Sequence, residues 1–138
     1  MANTEIQIDY IPAALALHRL SGITTAASAA YGAEELEHQL RSSGSKAIFT
    51  CIPLLETALK AAKAVGIPEE NVFILPMAGA EKKVSNKDVN QLVEEGKALE
   101  QLKAVKFAKG QGARQVAFLM YSSGTSGLPV SLKYPDFT

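Results

Sequence analysis

Lys46-Ala47-Ile48-Phe49-Thr50-Cys51 and Asn71-Val72-Phe73-Ile74-Leu75 are short apolar runs rich in β-branched and aromatic residues. Between them, from Pro53 to Ala64, the apolar residues return at helical spacing, with Leu55, Ala58, Leu59 and Ala62 on one stripe. Pro53 suits the first turn of a helix, and Gly66 and Pro68 close it. Both read as strands, and the first is continuous enough in apolar character to be buried on both faces, as parallel strands are. Strand, helix, strand in this order predicts a βαβ unit with a right-handed crossover. The fold class is therefore α/β, a mainly parallel sheet of about four to five strands with flanking helices.

Upstream, Ala33 to Ser43 is an amphipathic helix: Leu36 and Leu40 face inward, Glu37 and Arg41 can pair outside, and Gly44 ends it. Ile23-Thr24-Thr25-Ala26-Ala27 reads as a short strand. Before it, Asp9 is expected to cap a helix from Tyr10 to about Leu20, stopped by Gly22, with Ile11, Ala14, Leu15 and His18 sharing a face. Ile6 and Ile8 alternate with polar residues over too short a distance to define a strand. Downstream, Ser85 and Asp88 offer caps for a helix carrying Val89, Leu92 and Val93, interrupted at Gly96, and Leu99 to Gly112 reads as irregular. So long a segment suggests a functional or covered loop.

Composition narrows the field. The 138 residues suit a single domain, 1–138, with one core. Lysine plus arginine equals aspartate plus glutamate at 14 each, so no overall field draws the chain to nucleic acid or a membrane surface, and neither partner is expected. A lone cysteine, Cys51, excludes an internal disulfide framework. With no basic, apolar leader at its start the chain reads as cytoplasmic.

The segment with chemical character lies near the C-terminus. Val116-Ala117-Phe118-Leu119-Met120, a strand, runs into Tyr121-Ser122-Ser123-Gly124-Thr125-Ser126-Gly127-Leu128-Pro129. Hydroxyls and exposed backbone N–H groups in a glycine-rich turn can surround an anion. The pattern is not the ordinary P-loop, because Gly127 is followed by Leu128 rather than lysine. It resembles the phosphate loop of the adenylate-forming superfamily, which includes acyl-CoA synthetases and 4-coumarate:CoA ligases. The likeness extends through Asp9-Tyr10, His18-Arg19-Leu20-Ser21-Gly22-Ile23, Ala29-Ala30-Tyr31, Glu34-Glu35-Leu36 and Gly44-Ser45-Lys46, in the order found in the N-terminal part of those ligases. Lys109 to Gln115 looks like fungal members in particular.

The resemblance implies a partial N-terminal subdomain of the adenylate-forming fold, with its phosphate loop at 121–130 and phosphate-binding residues Ser122, Ser123, Gly124, Thr125, Ser126 and Gly127. It also implies adenylation of a carboxylic acid by ATP and transfer to CoA. Two features depart from that activity. Val130 stands where the family has a lysine that helps hold ATP phosphates, and the sequence contains no later Tyr-Gly-x-Thr-Glu-like motif, ribose-binding aspartate motif or hinge. The leading expectation is thus a truncated ligase-like domain not competent for adenylation alone, requiring no cofactor, with residual ATP or phosphate binding that is weak.

Two other classes stay open. A repurposed tailoring enzyme, an isomerase or cyclase acting on a hydrophobic small molecule, would use His18, Tyr31 or Tyr121 as general acid or base. A non-catalytic binding or regulatory module would use none. The bland alternatives are a packed histidine at 18, a solvated charged face for Glu34, Glu35, Glu37 and His38, and a core thiol at Cys51. No cysteine and histidine spacing for a metal is present. Self-association as a homodimer is expected, through the helix Tyr10 to Leu20, the strand Val116 to Met120, or the tail Leu132 to Phe137, which is expected to lack local partners and to be free to exchange.

Overall fold

The computed structural model describes residues 9–79, 83–103, 105–122 and 130–135, with 122 and 130–135 described through their backbone. The chain runs through helix α1 (Tyr10–Arg19), helix α2 (Ala33–Ser43), strand β1 (Ile48–Thr50), helix α3 (Leu55–Val65), strand β2 (Val72–Ile74), helix α4 (Val89–Gly96) and strands β3 (Val116–Ser122) and β4 (Val130–Pro135). Single 3-10 turns at Ile52–Leu54 and Glu69–Asn71 lead into α3 and β2.

The βαβ unit is the centre of the fold. β1 and β2 pair in parallel, with Ile48 opposite Val72 and Thr50 opposite Ile74, and the Leu75 N–H extends the ladder to the Thr50 carbonyl at 2.7 Å. Leu55, Ala58, Ala61 and Ala62 of α3 are buried against Ile48, Val72 and Ile74, and α2 packs on α3 through Leu40. The alanines let helix and strands approach closely. Leu59, expected inside, is only half-buried, and Ala61 takes the deeper place. Both helices end on glycines in the left-handed region, Gly44 at φ 65° and Gly66 at φ 79°, a conformation that a Cβ disfavours. On the other side of β2, the Ile74 N–H reaches the Lys87 carbonyl at 2.9 Å. Asp88 next to it caps α4, accepting from the Gln91 N–H at 2.8 Å while Gln91 Oε1 accepts from the Asp88 N–H. Gly96 is the last residue of this helix rather than an interruption. From Leu99 to Gly112 the described residues form turns and irregular backbone, as expected.

The α/β class and the parallel pairing agree with the sequence, and among the described residues the named strands form two ladders, β1 with β2 and β3 with β4. β3 and β4 form an antiparallel hairpin, with Phe118 opposite Tyr134, Met120 opposite Leu132 and Ser122 opposite Val130. The residues expected to form a tail without partners therefore pair within their own chain up to Pro135; Phe137 lies outside the described residues. Among the described residues the run Ile23 to Ala27 makes one parallel bridge, between Thr24 and Phe118, formed by the Thr24 N–H to the Ala117 carbonyl and the Leu119 N–H to the Thr24 carbonyl.

Helix α1 departs from expectation at both ends. Asp9 has helical backbone angles and makes no side-chain cap. The left-handed residue at the exit is Ser21, at φ 56°, while Gly22 follows it so closely on the helix that its N–H reaches the Leu17 carbonyl at 2.8 Å. A Cβ on Gly22 would sit 2.9 Å from that oxygen. The inward side of α1 carries Ala13, Ala14 and Leu17, whereas Ile11 and Leu15 are 60% and 58% exposed. Among the described residues no helix is long and apolar enough to cross a membrane.

Candidate functional site

The hydroxyl-rich motif starts at the end of β3. β3 carries the chain as far as Ser122, whose pairing with Val130 brings the two ends of the connection side by side. Ser123, Gly124, Thr125, Ser126 and Gly127 lie outside the described residues. Tyr121, where the motif starts, pairs through its backbone with Ser131, and its side-chain hydroxyl is buried with no hydrogen-bond partner among the described residues.

His18 is held from two sides. Its Nε2 shares a hydrogen bond of 3.1 Å with the Thr24 hydroxyl, the tautomer deciding which group donates, and its ring stands edge-on to Phe118 with centroids 4.7 Å apart. The contact joins the end of α1 to the single bridge between Thr24 and β3. Tyr31 is half-buried at the start of α2 and lines a large cavity. His18 and Tyr121 do not line that cavity, so the three candidate acid–base residues are not gathered around one space.

That cavity has a volume of about 650 Å³. Tyr10, Ala13, Ala14 and Leu17 of α1 form one wall, Leu36, Gln39 and Leu40 of α2 another, and Ala58, Leu75 and Leu119 close it. Cys51, at the carboxyl end of β1, reaches its edge and is half-buried. Gln39 is 1% exposed. Its Nε2 donates to the Thr25 hydroxyl at 2.8 Å and to the Ala26 carbonyl at 3.0 Å, while Oε1 has no partner among the described residues. Sequence reading missed Gln39 because a glutamine on an amphipathic helix looks like part of its polar face.

The charged run on α2 is mostly a solvated surface. Glu34 and Glu35 are exposed, Glu35 Oε2 accepts from the Gly32 N–H at 2.8 Å, and Glu37 pairs with Arg41 at 2.7 Å. These contacts give the acidic groups capping and pairing roles. Among the described residues no three histidine, cysteine or carboxylate side chains come together as a metal cluster.

Comparison with known proteins agrees with this architecture. Residues 5–129 match the AMP-binding enzyme family model, and the chain belongs to that family. It is 38% identical over 132 residues to the acyl-CoA ligase AFT1-1 of Alternaria alternata, covering 92% of this chain and 22% of the relative. It is 35% identical over 128 residues to the acyl-CoA ligase cm3C of Cordyceps militaris, covering 88% of this chain and 20% of the relative. Among solved structures, a long-chain-fatty-acid-CoA ligase (FadD1) from Archaeoglobus fulgidus superposes with a TM-score of 0.71 at 26% identity, over 93% of this chain and 23% of that one. The anthranilate CoA ligase AuaEII, solved with anthranoyl-AMP, has the same fold, with a TM-score of 0.73 at 15% identity over 92% of this chain and 23% of that one. The chain thus spans about a fifth of the length of the relatives it matches.

Proposed function

We propose that this chain carries the phosphate-loop hairpin and part of the supporting α/β layer of an acyl-CoA ligase fold, and that its 138 residues do not adenylate a carboxylate by themselves. The observation that supports this reading is coverage: a strong match over most of the chain accounts for only 22% of a relative's length. Adenylation must hold the reacting phosphates in line and compensate their developing charge, usually with cations. The position after Pro129 is Val130, and the next lysine, Lys133, is three residues further on. An anion held at 122–127 would therefore rest on N–H groups and hydroxyls, and its binding is weak.

In this reading the chain acts in the cytoplasm of a fungus, in secondary metabolism, as a homodimer. The test is carboxylate-dependent ATP–pyrophosphate exchange with purified chain free of host ligases, across aromatic and fatty acids. The expected result is no exchange above a blank, and robust exchange with any acid would overturn the reading. Phosphate or ATP titration by calorimetry checks the loop separately, with millimolar or weaker binding expected.

A further inference from the structure

The overall balance of 14 cationic and 14 acidic residues hides a local excess. Between Lys97 and Arg114 the chain carries Lys97, Lys103, Lys106, Lys109 and Arg114 against one carboxylate, Glu100. The central part has a strict period of three. Apolar residues stand at Leu99, Leu102, Val105 and Ala108, and each is followed by a charged one: Glu100, Lys103, Lys106 and Lys109. Roughly three residues per turn is the repeat of an extended, polyproline-type chain, so on such a backbone the period sorts the two residue types into separate rows. Among the described residues, 100–103 and 105–107 form neither helix nor strand, and none of their N–H groups donates to another backbone group.

Both residue types meet solvent. Leu99 is 72% exposed, Leu102 57% and Val105 46%, and Lys103, Lys106 and Lys109 are exposed beside them. None of these three lysines pairs with a carboxylate among the described residues, whereas Lys87 and Lys97 on either side of α4 do. The loop is nevertheless held in place. Arg19 at the end of α1 donates from Nη2 to the Leu102 carbonyl at 3.4 Å, and half-buried Phe107 lines a crevice with His18, Ser21 and Gly22 at the exit from that helix. Single exposed leucines are ordinary, but three large aliphatics at regular spacing among these cations, on an anchored loop, form a surface.

We propose that this surface docks the chain on an anionic lipid membrane, with Leu99, Leu102 and Val105 entering the boundary between headgroups and acyl chains and Lys103, Lys106 and Lys109 held by lipid phosphates. Charge complementarity selects an anionic occupant. The aliphatic row then selects lipid over nucleic acid, because bases are held by stacking on aromatic rings, and the loop's one aromatic residue, Phe107, is half-buried at the exit from α1. Lysine suits the role, since its alkyl stem lies along apolar surface while the ammonium stays in the polar layer. Arg19 adds a further cation beside Leu102. No net charge on the chain is required, because the field that matters acts within about 10 Å of the membrane at physiological salt. This inference does not depend on the ligase reading.

Vesicle binding by the full chain tests it, aided by the absence of tryptophan from the sequence. Leu102→Trp places the sole indole on the apolar row. Its emission is expected to shift to the blue, and to be quenched by brominated acyl chains, when vesicles of phosphatidylcholine and phosphatidylserine are added, with no change on phosphatidylcholine alone. In cosedimentation with the mixed vesicles, Lys103→Gln and Lys106→Gln should each weaken binding about fivefold and flatten its salt dependence. Leu99→Ser combined with Leu102→Ser should weaken it at least tenfold and leave the salt dependence unchanged. All four positions are exposed, so each variant keeps the fold, which circular dichroism checks. No binding of the parent chain to the mixed vesicles, equal binding to both vesicle types, or an indole that stays in water would overturn the proposal. So would binding that the serine pair leaves unchanged. Tighter binding to a labelled oligonucleotide or an acidic peptide than to the mixed vesicles, lost with Lys103→Gln, would also overturn it and assign the surface to that partner.

Discussion

His18 and Thr24 share a hydrogen bond of 3.1 Å across the turn that leaves α1, with Phe118 edge-on against the imidazole. The bond ties the helix to the one bridge that this run makes with β3. His18→Ala is expected to cost about 1–2 kcal/mol, the worth of a part-buried hydrogen bond and an aromatic contact. His18→Gln, which can still reach the hydroxyl, should recover part of it. Urea unfolding followed by circular dichroism reads both, and an unchanged midpoint for the alanine variant would show that the contact does not support the fold.

The turn itself gives a pair of opposite expectations. Ser21 occupies the left-handed region at φ 56°, so Ser21→Gly relieves backbone strain and should stabilise by up to about 1 kcal/mol after the entropy cost of glycine. Gly22→Ala places a methyl group 2.9 Å from the Leu17 carbonyl oxygen and should destabilise by roughly 1–3 kcal/mol. Thermal melts of the two variants should therefore move in opposite directions. A shared direction would mean that the exit from α1 has a different geometry.

Much of this fold was legible because its signals are local. The helix from Ala33 to Ser43 was bounded by Gly44 and its Leu36/Leu40 stripe, and the βαβ unit by two unbroken apolar runs around a helical period. The misses are of several kinds. Val130-Ser131-Leu132-Lys133-Tyr134 alternates apolar and polar residues as a half-exposed strand should, and that signal could have identified β4. Ile23 to Ala27 has strand character yet makes a single bridge among the described residues. On α1, spacing alone could not choose between the Ile11/Leu15 side and the Ala13/Leu17 side. The hydroxyl turn was recognisable as a motif, whereas Gln39 gains significance only from burial and its bonds to Thr25 and Ala26.

Tyr121 starts the hydroxyl-rich turn, and its phenolic oxygen is buried without a partner among the described residues. Tyr121→Phe should accordingly be neutral or stabilising by about 1 kcal/mol, since it removes a desolvated polar group and keeps the ring. A loss of 1 kcal/mol or more in chemical denaturation would mean that the hydroxyl is bonded to the turn at 123–129, and would make Tyr121 a structural part of the anion loop.

The apolar residues on the outer side of α1 lead to the association prediction. Ile11 and Leu15 stand one turn apart and are mostly exposed, as are Leu20 and Ile23 just beyond the helix. Fully covering such a side chain contributes about 1.5–3 kcal/mol. Isolated exposed leucines are ordinary, but neighbours on one face form a patch, and a patch is what a second copy can cover. Of the three surfaces expected to mediate pairing, the tail is already paired with β3 to Pro135, which leaves α1 as the better candidate. A two-fold arrangement would set α1 against its symmetry mate, with Leu15 of each copy near the axis. Light scattering at micromolar concentration should then report twice the 14.7 kDa chain mass. Leu15→Glu, placing like charges across the axis, should return the monomer with its circular dichroism unchanged. A wild-type chain that stays monomeric, or a Leu15→Glu chain that stays dimeric, would move the interface away from α1.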